Sequence, residues 1–213
     1  MQTNIFFRKY AMAAFLLLGL NIHSDAQSSP AKYTLVIHGG AGTISRANMK
    51  PEMEKAYLRS LNGALDLGEK LLSEGRPALE VVEAVVRFLE DDSLFNAGKG
   101  AVLTNAGEHE LDAAIMDGRT MRAGSVAGVK TIKNPILAAR QVMEKSSHVM
   151  LSGKGAEDFA RLAGLEMVEN SYFTTESRRR GLERAKEEEK KESEKKQIPG
   201  ARQAPLKADW KYG

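Results

Sequence analysis

Cysteine is absent from the 213 residues. That excludes disulfides, zinc–thiolate sites and a cysteine nucleophile together. A strong charge of either sign is also missing: the formal net charge is +3, with acids and bases interspersed. No basic block is interleaved with aromatics, so nucleic acid is not an expected partner. Neither a Ser-His-Asp spacing nor a metal-ligand cluster stands out. The apolar run Tyr10–Leu20 is too short to cross a bilayer comfortably.

That run suits a targeting segment. Arg8 and Lys9 precede it, and Ser24-Asp25-Ala26 offers small residues at the −3 and −1 positions of a cleavage site. Residues 1–26 are expected to be a signal peptide, with the mature chain starting near Gln27 in a periplasmic or secreted location. A retained membrane anchor is the alternative; with no Cys after the run, a bacterial lipid anchor is not available. The hydrophobic share of 42% supports one domain with a real core rather than two large ones.

The apolar pattern predicts alternating strands and helices. Tyr33–Ile37 reads as a buried strand entering a glycine loop. A helix is predicted over Met49–Ser73, with Pro51 in its first turn and Gly75 as stop signal, and another over Pro77–Glu90. Glu110–Met116 and Ser125–Val129 read as small-residue strands around the turn Asp117-Gly118-Arg119, closely packed on both faces. A helix from Asn134-Pro135 to Lys145 has Asn as cap and Pro at the first position. His148–Leu151 reads as a strand and Ala156–Leu162 as a short helix. The expectation is a layered α/β architecture.

From Glu176 the character changes. Residues 176–213 are dense in charge, and the stretch ERAKEEEKKESEKK (183–196) has no hydrophobic stripe. It cannot bury enough surface to offset its ordering entropy, so a solvated helix or a flexible linker is expected.

Two glycine-rich loops remain. His38-Gly39-Gly40-Ala41-Gly42-Thr43 follows the first strand, where backbone N–H groups can approach a ligand. It fails as a dinucleotide loop because Ser45 stands where the third glycine belongs, and no Gly-Lys-Ser/Thr ending makes it a P-loop. Phe95-Asn96-Ala97-Gly98-Lys99-Gly100 places a side-chain amide beside a permissive backbone.

In order, HGGAGT, LEDDSLFNAGKGAVLTNAGEHELDAAIMDG and AGSVAGVKTIKNPILAARQVMEKSSHVMLSGKGAEDFA resemble the N-terminal half of the plant-type L-asparaginase/isoaspartyl peptidase family, across residues 33–175. The resemblance implies an N-terminal nucleophile hydrolase with a four-layer αββα sandwich. There, a precursor cuts itself between Gly and Thr, and the freed threonine of the β chain attacks an amide or isopeptide carbonyl. Residues 27–175 would be the α-subunit globular part and 176–213 a charged linker. Gly213 would be the cleavage position, and no residue of this chain would be the nucleophile.

By the same resemblance, Asn96, Gly39 and Gly40 border the nucleophile and substrate. The main-chain carbonyls of Leu89, Glu90, Asp92, Phe95, Ala97 and Lys99 would hold a structural sodium ion, and no other cofactor is required. A Lys99 side chain folded inward would weaken that site. Partners would be the β subunit, in an (αβ)₂ heterotetramer, and a small amide or dipeptide substrate, with no membrane contact after signal removal.

The other polar residues have plainer readings. His38 is expected to be a structural hydrogen-bonder, with a general base as the alternative; His109 and His148 are expected to be packed or surface groups. Asp91 and Asp92 read as a solvated helix end, Glu108, Glu110 and Asp112 make no glycosidase pair, and Met143 and Met150 read as core. The alternatives to the enzyme are a non-enzymatic α-like binding or interaction protein, and a nucleotide-binding α/β protein using residues 38–43.

Overall fold

A helix with small residues on its buried face pairs with one that packs valines against it. The computed structural model describes residues 33–40 and 49–196. The expected signal peptide, most of the first glycine loop after Gly40, and the end of the linker with Gly213 lie outside the described residues. Among the described residues, those from Leu35 onward belong to one compact unit, and Tyr33 and Thr34 fall outside it.

Helix α1 runs Pro51–Ser73, with Pro51 at its start, Glu52 and Glu54 in the first turn and Lys70 in the last. That charge placement suits the helix dipole. Its buried residues are Ser60, Ala64 and Gly68, spaced four apart and so stacked on one face. Helix α2, Ala78–Glu90, packs Val81 and Val85 against that stripe, and Ile37, Leu71, Leu72 and Leu89 close the cluster.

Residues 33–40 carry no ladder, contrary to the strand expected at Tyr33–Ile37. A strand needs a neighbour with which to exchange hydrogen bonds, and none of the described strands pairs here. The alternation itself survives: Leu35, Ile37 and Gly39 are half-buried, whereas Val36 and His38 face outward. A Cβ on Gly68 would lie 2.3 Å from Leu35 Cδ2, so the segment crosses α1 where α1 has no side chain.

Three strands form one mixed sheet in the order β1-β2-β3. Strand β1, Leu111–Asp117, pairs antiparallel with β2, Arg122–Val129, and a bulge between Leu111 and Ala113 shifts the register. Strand β3, Met150–Ser152, pairs parallel with β2. The crossover between them is helix α3, Pro135–Lys145. Helix α4, Gly153–Leu162, follows directly on β3. A 3-10 turn at Asn170–Phe173 leads into helix α5, Glu176–Lys196, along the charged stretch.

Helices α3 and α4 cover one face of the sheet. Leu111, Val126, Val129, Ala138, Val142, Ala156, Ala160 and Phe173 make the main cluster there. Ile115, Ile136, Ala139 and Met143 make a second, against which Leu79 and Val86 of α2 pack. Dense covering of both faces was expected. Among the described residues the other face is open: Ala114 and Met116 are exposed, Ser125 and Ala127 half-buried, and Met150 is 55% exposed rather than in the core. The small residues are still explained on the covered side, where Gly124 lets the α3 backbone lie directly on β2. Met143 is buried as expected. Among the described residues no helix is long and apolar enough to cross a membrane.

A Cβ at Gly124 would sit 2.2 Å from Ala139 O and 2.4 Å from Met143 N, both main-chain atoms. Gly124→Ala is therefore expected to lift α3 and cost about 3 kcal/mol. Gly118→Ala, with nothing within 4 Å of the new carbon, should stay within about 0.5 kcal/mol of the parent. Thermal unfolding of the two variants checks this; equal melting temperatures would refute the contact.

Candidate functional site

The end of α2 turns back on itself, and that turn builds the candidate site. Lys99 donates its backbone N–H to Glu90 O at 2.7 Å, closing a loop over residues 91–98. Asp92 braces it from inside: Oδ1 accepts the Leu94 N–H at 3.0 Å and Oδ2 the Ser60 hydroxyl at 2.5 Å. The Tyr57 hydroxyl donates to Leu94 O at 3.1 Å, and its ring meets Phe95 edge-on. Helix α1 thus holds the loop at two points. Asp91 Oδ1 accepts from the Asn134 amide at 3.0 Å. The acidic pair is a braced helix end, with both carboxylates engaged in structural bonds.

Two glycines make the turn possible. Gly98 has φ +49°, and a Cβ there would lie 2.3 Å from Glu90 O. Gly100 has φ +145°, and its Cβ would lie 2.6 Å from Ser93 O and 2.7 Å from Phe95 O. Any other residue would collide with main-chain oxygens. The oxygens these glycines spare, Glu90 O, Ser93 O and Phe95 O, are hard donors of the kind that alkali cations accept. The Lys99 ammonium does not fold among them; it stands 5.6 Å from the Tyr172 ring centre, with Lys133 5.9 Å from the same ring. Leu89 O, Glu90 O and Asp92 O already accept the N–H groups of Asp92, Lys99 and Phe95, and each carbonyl keeps a second lone pair that a cation could use.

Asn96 sits exposed at the tip. Its Oδ1 accepts the Val102 N–H at 2.8 Å, which fixes the carboxamide plane. Among the described residues its Nδ2 makes no hydrogen bond. Gly39 lies beside this loop: a Cβ on it would meet Leu61 Cδ2 at 2.8 Å and Phe95 Cε1 at 3.4 Å. Gly40 has φ +116°, and among the described residues nothing lies within 4 Å of a Cβ placed on it. The fold thus brings the first glycine loop against the residue preceding Asn96, although 56 positions separate Gly39 from Phe95 in the chain.

His38 is exposed and makes no hydrogen bond among the described residues, so the structural bond expected of it is not found there. His148 is exposed, its N–H and carbonyl both bonded to the Ser146 hydroxyl. His109 is fully buried. Glu108 and Glu110 pair with Lys130, and Asp112 accepts the Gly128 N–H.

Asn134 begins α3 but does not cap it with its side chain. That role passes to Glu90, whose Oε1 accepts the Ile136 N–H at 3.0 Å. Sequence reading missed this cap because its partners are 46 residues apart. It also missed Tyr57 and Ser60, whose bonds to the loop leave no local signature.

The family model described as asparaginase matches residues 31–213. The chain belongs to the asparaginase family. Its relatives include an isoaspartyl peptidase of Escherichia coli, 50% identical over 157 residues, which are 74% of this chain and 49% of the relative. An isoaspartyl peptidase of Salmonella typhimurium is 50% identical over 147 residues, 69% of this chain and 47% of the relative. A plant-type L-asparaginase of Pyrococcus abyssi is 46% identical over 153 residues, 72% and 48% of the two chains. The chain spans about half the length of the curated relatives it matches.

Within this asparaginase-family loop, Glu90 carries an electrostatic cost. Its side chain is 4% exposed, and Oε2 has no partner among the described residues. Burial pushes its carboxyl up to about 8; the Ile136 N–H and the Asn134 amide pull the other way and lose. Desolvation thus outweighs the helix N-terminus. The folded chain keeps a proton on Glu90 that the unfolded chain releases near its ordinary value of 4.5. This group's contribution is therefore whole below that value and is lost as pH rises to about 8. Glu90→Gln keeps an acceptor for Ile136 and does not ionise. Its stability relative to the parent should rise between about pH 5 and pH 8, by roughly 1–3 kcal/mol. Urea unfolding at both pH values checks this, and parallel curves would refute it.

Proposed function

We propose that this chain is the half of an amidohydrolase that positions the scissile amide, and that the assembled enzyme hydrolyses L-asparagine and β-aspartyl dipeptides. One observation carries the proposal. The fold sets Gly39 against Phe95 and holds the Asn96 carboxamide through Oδ1, with no bond from Nδ2 among the described residues. Relatives named isoaspartyl peptidase and plant-type L-asparaginase share about half of the aligned residues.

The chemistry follows from what the loop offers. A threonine hydroxyl from the complementary half, the β chain, attacks the side-chain carbonyl of the substrate, and its own α-amine takes the proton. The Asn96 N–H groups orient that threonine or the scissile group. Ammonia, or the amino acid of a dipeptide, departs and leaves an acyl ester. Water then cleaves the ester and releases aspartate. Gly39 lets the first glycine loop lie tight against Leu61 and Phe95, beside Asn96.

The main-chain carbonyls of Leu89, Glu90, Asp92, Phe95, Ala97 and Lys99 would hold a sodium ion. Its charge would stiffen the loop under Asn96. The open sheet face, with Ala114, Met116, Ser125, Ala127 and Met150, suits a second sheet supplied by the β chain. That would complete a four-layer αββα sandwich in an (αβ)₂ assembly. A signal peptide over 1–26 would place the enzyme in the periplasm or outside the cell, and the charged segment 176–213 would serve as the linker at the cut.

Two measurements test the reading. The enzyme assembled from the full gene product should release ammonia from L-asparagine or cleave a β-aspartyl dipeptide, and Asn96→Ala should lower kcat/KM by about 100-fold. Activity with neither substrate class refutes it, as does an unaffected variant. The melting temperature should be higher in sodium chloride than in choline chloride of equal ionic strength; identical values remove the sodium site.

A further inference from the structure

We propose that His109 and Thr174 are positioning residues that set the orientation of the Asn96 carboxamide through Val102. The inference rests on the role proposed above for Asn96.

The path consists of three hydrogen bonds. The His109 ring is fully buried. Its Nδ1 lies 3.2 Å from Val102 O, and its Nε2 lies 2.9 Å from Thr174 Oγ1. A carbonyl can only accept, so Nδ1 carries the hydrogen. Burial pulls the ring below the usual histidine range, the direction that favours the ring with a hydrogen on Nδ1 alone. Nε2 is then bare and accepts the Thr174 hydroxyl proton. Val102, held at its carbonyl, turns its own N–H to Asn96 Oδ1 at 2.8 Å.

The rest of the segment is built to hold this geometry. The Asn170 carboxamide takes the His109 N–H on Oδ1 and returns an N–H to His109 O, both at 2.9 Å. The Phe173 ring meets the imidazole edge-on, with centres 6.0 Å apart. Arg178 donates Nε–H to Gly100 O at 2.5 Å, two residues before Val102. Residues 170–178 therefore grip the backbone that follows Asn96. A histidine with a purely packing role would end its bonds in the core. Here they end on an exposed amide in the candidate site.

Removing the hydroxyl isolates the relay. Thr174→Val leaves Nε2 without a donor, and the ring keeps its hydrogen on Nδ1 but loses the bond that fixes its tilt. Val102 then shifts with the ring, and Asn96 loses its fixed plane.

The test uses the enzyme assembled from the full gene product. Thr174→Val should lower kcat about tenfold with KM nearly unchanged, as supporting contacts behind reacting groups do. Thr174→Ser, which keeps the hydroxyl, should recover the rate. In an Asn96→Ala background, Thr174→Val should change kcat by less than about twofold. Equal losses in both backgrounds overturn the relay, as does a change in KM alone. His109→Gln should repeat the pattern if the valine variant folds poorly. Independently of activity, nitrogen NMR should find His109 protonated on Nδ1 and bare on Nε2, and Thr174→Val should move the Asn96 side-chain amide resonances. The opposite tautomer, or unmoved amide resonances, overturns the proposal. An assembly that cleaves neither substrate class removes the function reading, while the resonances still decide the relay.

Discussion

Everything at the candidate site depends on the chain turning back over the end of α2 with no side chain at two points. Gly98 and Gly100 face Glu90 O, Ser93 O and Phe95 O at distances no Cβ could tolerate. With that clearance the Lys99 N–H reaches Glu90 O, Asn96 is carried to the tip, and Val102 comes within reach of the Asn96 carbonyl. The loop is then fastened from outside by residues of other elements. Tyr57 and Ser60 hold it from α1, and Arg178 holds its far side from α5. Rigidity of this kind is what a positioning amide needs, because a small misorientation removes its contribution to a reaction.

The polar groups around the loop show which forces prevail. At the start of α3, the attraction of a helix N-terminus for a negative charge competes with the cost of taking a carboxylate out of water. Glu90 is buried enough for the second to win, so it caps as a neutral acid. At the surface the balance differs. Lys99 and Lys133 both stand beside the Tyr172 ring, and Lys133 also meets Glu166 at 2.9 Å.

Much of the architecture was legible in the chain. Pro51, Pro77 and Pro135 marked helix starts, because proline costs nothing where no N–H is needed. The period of apolar residues located both helices of the first pair and the β-hairpin. What could not be read was which face each element would bury. Helix α1 carries several large apolar residues, yet its buried line is Ser60, Ala64 and Gly68, while Met53 and Leu58 are exposed. Close approach of another element decided that, and the approach is set elsewhere in the chain. Met150 and the Tyr33–Ile37 segment were misread similarly, since period-2 alternation describes a strand's faces without naming its neighbours. The Asn134 cap failed because a local preference lost to a carboxyl brought from another helix.

The order of motifs along the chain was enough, unaided, to mark the two glycine loops, to single out Asn96 and to tie both to one hydrolase family. Those signals are local, carried by residues whose backbone freedom or side-chain amide is unusual in itself. The fold alone decided that Gly39 rests against Phe95, that Glu90 caps α3, and that His109 connects Thr174 to Val102. Each of these joins positions far apart in sequence through hydrogen bonds or van der Waals contact. Such interactions act over a few ångströms in space, so only the folded chain defines them.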